Sequence, residues 1–279
     1  MRVIIDKNYV SANEYAGRED ITEVIVDPKV SIVRFAENAF KGCDNLESFI
    51  SYANDTHIGQ AAFRGCKNLQ KVQAKNIYLA ESSFEGCISL KKFTGKAAII
   101  PERCFRGCQK LYLPPDARKY EASAFESSGI YSLVVDENSS LRSISNNAFK
   151  NCRKLIKVSI TSNRVEIGDS AFEGCKVLES VDLTGVVRIG ECVFMGCKVL
   201  KDLIWSPILD KVPFAAFCEC RKLQNIEGKE KIAFMDDFAF FKAKVSEKDF
   251  PSKKGAFPKN AFKWDITAYA HREMSPREL

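Results

Sequence analysis

A phenylalanine returns every 20 to 24 residues through almost the whole chain, at Phe40, Phe63, Phe84, Phe105, Phe125, Phe149, Phe172, Phe194, Phe217, Phe240 and Phe262. A chain of 279 residues would otherwise suggest one or two globular domains. Ordinary globules do not space one residue type so evenly. A sustained period of this length marks a solenoid, in which each repeat buries its apolar face against the next.

The positions around each Phe repeat as well, most clearly in Ser170-Ala171-Phe172-Glu173-Gly174-Cys175-Lys176-Val177-Leu178. The residue before Phe is small (Ala39, Ala62, Ser83, Ala148, Ala171, Ala216), as a tight coil requires. Phe fills the coil interior, and burying one is worth roughly 1.5–3 kcal/mol. Two residues on stands Gly (Gly42, Gly65, Gly86, Gly107, Gly174, Gly196) or Asn151, residue types that tolerate left-handed backbone angles. Small-Phe-x-Gly therefore predicts one helical turn and its stop. Six residues after Phe comes Leu, opening runs such as Leu155-x-x-Val158-x-Ile160 whose alternation predicts a half-buried strand. Five residues before Phe sits another apolar residue (Ile58, Ile144, Ile167, Ile189), which predicts a second short extended segment. The expected coil is strand, turn, short strand, helical turn.

The pattern Ala171-Phe172-x-Gly174-Cys175-x-x-Leu178-x-x-Val181-x-Leu183 resembles the BspA-like (treponemal-type) class of leucine-rich repeat, over roughly residues 20 to 270. The fold expected is a single elongated, right-handed leucine-rich repeat solenoid (α/β, mostly short parallel strands with one-turn helices) of about a dozen coils. Residues 1–26 form an N-terminal capping coil, with Tyr15 standing in for Phe. Residues 27–245 are repeats, irregular at 109–140, where Pro114-Pro115 and the polar run 136–140 predict a kink. Residues 246–279 are a C-terminal capping coil and tail, with Trp264 and Asp265 on an exposed closing edge. The resemblance also implies surface adhesion or host interaction as one biological setting.

Eight of the 11 cysteines share one repeat slot: Cys43, Cys66, Cys87, Cys108, Cys152, Cys175, Cys197 and Cys220. Their phase with Phe reads as a ladder of small buried hydrophobes, because metal sites need closed ligand sets and no C-x-x-C or Cys/His cluster at finger spacing is present. Phe40 to Phe217 and these eight cysteines are thus the expected structural core, with no metal and no cofactor. Of the remaining three, Cys104 takes the small position before Phe, and Cys218 is the expected accessible thiol because it follows Phe217 where other copies place charge. The only histidines, His57 and His271, have no partner that would make a nucleophilic machine. Walker and Rossmann motifs are absent. An enzyme is not expected.

Binding is therefore assigned to outward positions of the strand after Leu. Counting from that Leu, the candidate partner-binding residues are Ile50, Tyr52, Lys71, Lys75, Lys92, Lys96, Lys157, Asp182, Asp202, Ile204 and Glu227, with Ser206 in the same column. They run from Lys-rich to neutral or acidic, a gradient that orients a protein partner. Ile50, Tyr52 and Ile204 are its apolar anchors. The alternative is anion binding (glycan, membrane surface or nucleic acid) through the basic column after Cys: Lys67, Arg153, Lys154, Lys176, Lys198, Arg221 and Lys222. Nucleic acid ranks low, since the net charge is only +6 and no aromatics interleave that column. With no transmembrane run and no signal-peptide core, the chain reads as a cytoplasmic monomer. A secreted or cell-surface protein is the alternative if a signal was removed.

Overall fold

The structure is a computed structural model, which describes residues 1–162, 164–251 and 257–263. The expectations for Trp264, Asp265, His271 and the tail lie outside the described residues.

Parallel strands stack in two columns. Ten strands form the first column, seven of them following the repeat Leu: Arg2–Ile5, Glu23–Val26, Ser48–Ser51, Lys71–Leu79, Lys92–Lys96, Ser132–Val135, Lys157–Ile160, Ser180–Asp182, Asp202–Ile204 and Asn225–Glu227. These are called the Leu column. A second set precedes Phe, including Tyr9–Val10, Ile32–Phe35, Asp55–Ile58, Ile99–Ile100, Lys119–Tyr120, Ser143–Ile144, Val165–Ile167 and Val186–Ile189. These are called the Ile column. The nine-residue strand Lys71–Leu79 belongs to both, pairing with Ser48–Ser51 through its first half and with Asp55–Ile58 through its second. Strands such as Ser48–Ser51 alternate half-buried and buried residues, as a sheet with one packed face requires.

The interior is an aromatic stack. Tyr15 lies parallel to Phe40 with ring centroids 4.7 Å apart. Every later neighbour along the series, from Phe40–Phe63 to Phe240–Phe262, stacks within 14° of parallel, at 5.1 Å for the closest pair and 5.9 Å for the widest. The stack is unbroken through residues 109–140.

The Phe segment is not a helical turn. The N–H groups of Ala39, Lys41 and Cys43 bond within the coil, to Ala36, Asn38 and Phe40, while those of Asn38, Phe40 and Gly42 bond to Gln60, Ala62 and Arg64 of the next coil. Alternate donors thus serve the turn and the neighbour, and a helix would consume all of them locally. The alternation is held by two left-handed residues, Asn38 (φ 56°) and Gly42 (φ 69°). The first recurs two residues before each Phe from Phe63 to Phe240, at Ala61, Ser82, Arg103 and their equivalents. Because residue type there is so variable, the sequence does not advertise it.

The Leu column is interrupted at the coil of Leu111, where no strand forms between Lys92–Lys96 and Ser132–Val135. Pro114 and Pro115 have no N–H to give a ladder. One bond from the Tyr131 N–H to the Tyr112 carbonyl crosses the gap. The polar run after Val135 is pinned back by Asp116, whose carboxylate accepts from Ser139 Oγ, Ser140 N and Ser140 Oγ. At the same junction a Cβ on Gly129 would sit 2.0 Å from the Gln109 carbonyl oxygen. Gly129→Ala is therefore expected to destabilise by roughly 1–3 kcal/mol through backbone displacement. Gly196→Asn, in a slot that Asn151 already fills with φ 59°, is expected to cost less than about 1 kcal/mol, since Asn tolerates that conformation. Thermal denaturation of the two variants measures the contrast.

Candidate docking surfaces

The repeat cysteines point inward. All eight are buried. Each thiol of Cys66, Cys87, Cys108, Cys152, Cys175, Cys197 and Cys220 donates at 3.1–3.3 Å to the carbonyl of the Phe in the preceding coil, and Cys43 donates to Tyr15. Cys therefore supplies small volume and a weak donor together, a pairing that the sequence reading missed. Burial pushes the thiols up, to about 12 for Cys152 and well above the ordinary value for Cys66, Cys87, Cys108, Cys175 and Cys197. Such groups stay protonated and unreactive near neutral pH.

Cys218 is not the accessible thiol. It is 3% exposed and packs with Ala215 and Phe238 in a satellite cluster edged by Cys192, Met195, Phe214 and Phe241. Those apolar neighbours replace the charge found in other coils, so they cover it. Cys192 is the half-exposed cysteine, and burial raises its thiol to about 11. No cysteine is in a disulfide. Among the described residues no group of three His, Cys, Asp or Glu is placed to hold a metal ion. His57 stacks on Tyr78 at 4.5 Å.

On the Leu column, sheet register aligns Ser48, Lys71 and Lys92, and likewise Ile25, Ile50, Gln73 and Thr94. Lys71 is half-buried, while Lys75, Lys92, Lys96 and Tyr52 are exposed. Lys75 donates to Asn54 Oδ1 at 2.9 Å. Lys96 lies opposite Asn76 rather than Lys75, because the register shifts between Gln73 and Asn76. In the later coils register joins Ser159, Asp182, Ile204 and Glu227 in one row and Lys157, Ser180, Asp202 and Asn225 in the next. Asp182 is turned to its own chain, accepting from Thr184 N at 2.9 Å and Oγ1 at 2.5 Å. Asp202 accepts from Asn225 Nδ2 at 2.6 Å. Ile50 and Ile204 are half-buried, and Lys157 and Glu227 are exposed. Ser206 leaves the face altogether: it is buried, with its hydroxyl donating to the Val186 carbonyl at 2.7 Å.

The break in the Leu column exposes a cluster that repeat counting did not single out. Tyr112, Leu113 and Val134 are each more than half exposed, and Tyr112 stacks on Tyr131 at 4.9 Å. The signal was present in Leu111-Tyr112-Leu113-Pro114-Pro115, a run that is apolar where other coils carry Lys or Glu.

A concavity of about 1120 Å³ lies on the other column, along Lys119, Glu166, Arg188 and Lys211 and the turns beside them. None of the candidate residues on the Leu column lines it. Its lining is acidic on balance, and Lys119 and Lys211 are already paired, with Glu121 at 3.2 Å and Asp236 at 2.9 Å. The basic column after Cys is partly neutralised too: Lys67 pairs with Asp44 at 2.7 Å and Arg221 with Glu219 at 2.5 Å, while Lys154 donates to the Gln109 carbonyl at 3.1 Å. No helix among the described residues is long and apolar enough to cross a membrane.

A family model described as BspA type leucine rich repeat region, in six copies, matches residues 33–152, 79–201 and 142–268. Among solved structures the chain is similar to a leucine rich cell surface protein from Faecalibacterium prausnitzii A2-165, at 20% identity and a TM-score of 0.55 over 86% of this chain and 78% of that one. It is equally similar to a leucine-rich repeat protein from Bacteroides ovatus, at 20% identity and a TM-score of 0.55 over 87% of this chain and 84% of that one. Identity at this level speaks for the fold alone. No curated protein matches.

Proposed function

The chain belongs to the BspA-type leucine-rich repeat family, and we propose that this repeat scaffold binds a protein partner along the Leu column. The observation that carries the proposal is the junction: exposed Tyr112, Leu113, Tyr131 and Val134 sit between earlier coils carrying Lys71, Lys75, Lys92 and Lys96 and later coils carrying Asp202 and Glu227. Aromatic anchors between charged flanks are what concentrate binding energy and orient a partner. Stacked coils make the surface rigid before binding, so little ordering entropy is lost on docking. The protein acts as a monomer in this reading. In this reading its compartment is the reducing cytoplasm, which suits a ladder of buried, unpaired thiols. The cell-surface setting in the name of the F. prausnitzii relative is the competing outcome, and fractionation of the native cells separates the two.

Quantitative affinity capture from native lysate tests the surface. A partner held by the wild type is expected to be lost by on the order of tenfold or more in Tyr112→Ser/Tyr131→Ser, a loss of about 1.4 kcal/mol. A Lys71→Glu/Lys75→Glu/Lys92→Glu/Lys96→Glu variant is expected to lose it as well. Arg153→Glu/Lys154→Glu/Lys176→Glu/Lys198→Glu is expected to retain it. The reverse pattern would move the interface to the column after Cys and favour an anionic ligand.

A further inference from the structure

One outward column changes its chemistry where the fold does not require it. The residue after each Phe is charged through seven coils: Lys41, Arg64, Glu85, Arg106, Glu126, Lys150 and Glu173. In the next three it is Met195, Cys218 and Phe241. The backbone environment does not change with it. Gly174 N bonds to the Met195 carbonyl, Gly196 N to Cys218 and Glu219 N to Phe241, each at 2.8 Å, as Gly42 N bonds to Arg64 and Gly65 N to Glu85 in the charged coils. Repeat geometry thus accepts charge at this position, and the apolar run is not needed to fill the coil interior.

Met195, Cys218 and Phe241 line a cleft of about 450 Å³ together with Lys176, Lys198 and Lys242, whose ammonium stands 4.9 Å over the Phe241 ring. A cleft of this size holds one or two large side chains. Its two carboxylates are spoken for: Glu173 pairs with Lys150 at 2.9 Å, and Glu219 pairs with Lys242 and Arg221. Lys176 and Lys198 are exposed and make no ion pair among the described residues. The rim is therefore positive over an apolar floor. The stack advances 5.5 Å from Phe194 to Phe217 and 5.3 Å from Phe217 to Phe240. The floor is thus about as long as three extended residues, at roughly 3.3–3.6 Å each.

We propose that this cleft is a second docking site, independent of the Leu column, which takes an extended peptide segment of a protein partner carrying a Phe or Leu anchor flanked by aspartate or glutamate. The anchor covers Met195, and the flanking carboxylates meet Lys176 and Lys198.

The test is fluorescence anisotropy of the full chain with a fluorescein-labelled hexapeptide, a Phe-Leu pair between two aspartates on each side. Two controls replace the aspartates by lysine or the Phe-Leu pair by Ser-Gly. The acidic apolar peptide is expected to bind at least about tenfold more tightly than either control, and to weaken at about 1 M salt, where the screening length falls to about 3 Å. Met195→Lys restores the residue type of Lys41 and Lys150. It is expected to abolish that preference without lowering the melting temperature. Lys176→Gln/Lys198→Gln, which leaves the floor intact, is expected to reduce affinity for the acidic peptide to that of a neutral-flanked one. Equal binding of the lysine-flanked peptide, or acidic-peptide binding that survives Met195→Lys, would overturn the proposal. So would self-association in sedimentation velocity that Met195→Lys removes, since a second copy would then be the occupant. The Leu-column variants should leave this binding unchanged.

Discussion

Raising a reduced sample from pH 8 to pH 10 is expected to destabilise the protein by several kcal/mol, at least about 4. Cys66, Cys87, Cys104, Cys108, Cys152, Cys175, Cys197 and Cys220 are held neutral by burial, with Cys104 and Cys152 raised to about 12. Below an unfolded-state pKa of about 8.5 both states keep these protons, and the thiols add no pH slope. Above it the unfolded chain releases protons that the folded chain retains, so stability falls as pH rises, up to the folded-state value near 12. Each such thiol costs about 0.2 kcal/mol at pH 8 and about 2 kcal/mol at pH 10. Cys104 and Cys152 together lose about 4 kcal/mol over this range, and the other six add to the loss in the same direction. Urea unfolding followed by far-UV circular dichroism across this pH range, with reductant present, measures the loss. Cys87→Ala/Cys108→Ala removes two of the titrating groups. Its stability should fall less steeply with pH than that of the wild type. A pH-independent stability between 8 and 10 would show that the ladder thiols already ionise in the folded chain.

Phe172→Ala is expected to destabilise by about 3–5 kcal/mol, from lost transfer energy and the cavity left behind. The cavity cannot close easily. Phe172 is sandwiched by Phe149 and Phe194, each 5.3 Å away and within 8° of parallel, and both neighbours are fixed by their own coils. Each lost ring contact adds about 0.5–1.5 kcal/mol. In a solenoid, stability is a sum of repeat and neighbour-interface terms. A gap in mid-stack therefore weakens two interfaces and should divide the urea transition into steps. Tyr15→Ala supplies the comparison, because Tyr15 stacks on Phe40 at the half-exposed first coil. It should cost less and leave a single transition. Equal losses at both sites would argue against the stack as the continuous core.

Much of this architecture was legible because a solenoid presents the same environment once per coil. Phe, Leu and Cys answer to fixed slots, and departures stand out against copies. Legibility failed where a feature depends on neighbouring coils rather than on its own letters. Ser206 fits an exposed column by counting, yet its hydroxyl bonds the Val186 carbonyl in the coil beneath. Cys218 looked accessible for lack of a charge, yet the same substitution pattern brought Met195, Phe214 and Phe241 around it. The helical turn inferred from small-Phe-x-Gly failed because half its N–H groups belong to the next coil. The tyrosine cluster went unremarked because Leu111 opens no strand.

From the sequence alone came the period, the interior residues, the two extended segments per coil and the family. These follow from burial and residue size, which act within one repeat and recur in every other. Only the tertiary structure decided which outward residues form surfaces. It set the register that separates Lys96 from Lys75, the strand break that exposes Tyr112 and Tyr131, the placement of a broad concavity on the Ile column, and the covering of Cys218. The reason is that a surface is made by residues some 22 positions apart. Their juxtaposition depends on how each coil settles on its neighbour, and a slip of one residue changes which side chains share a row.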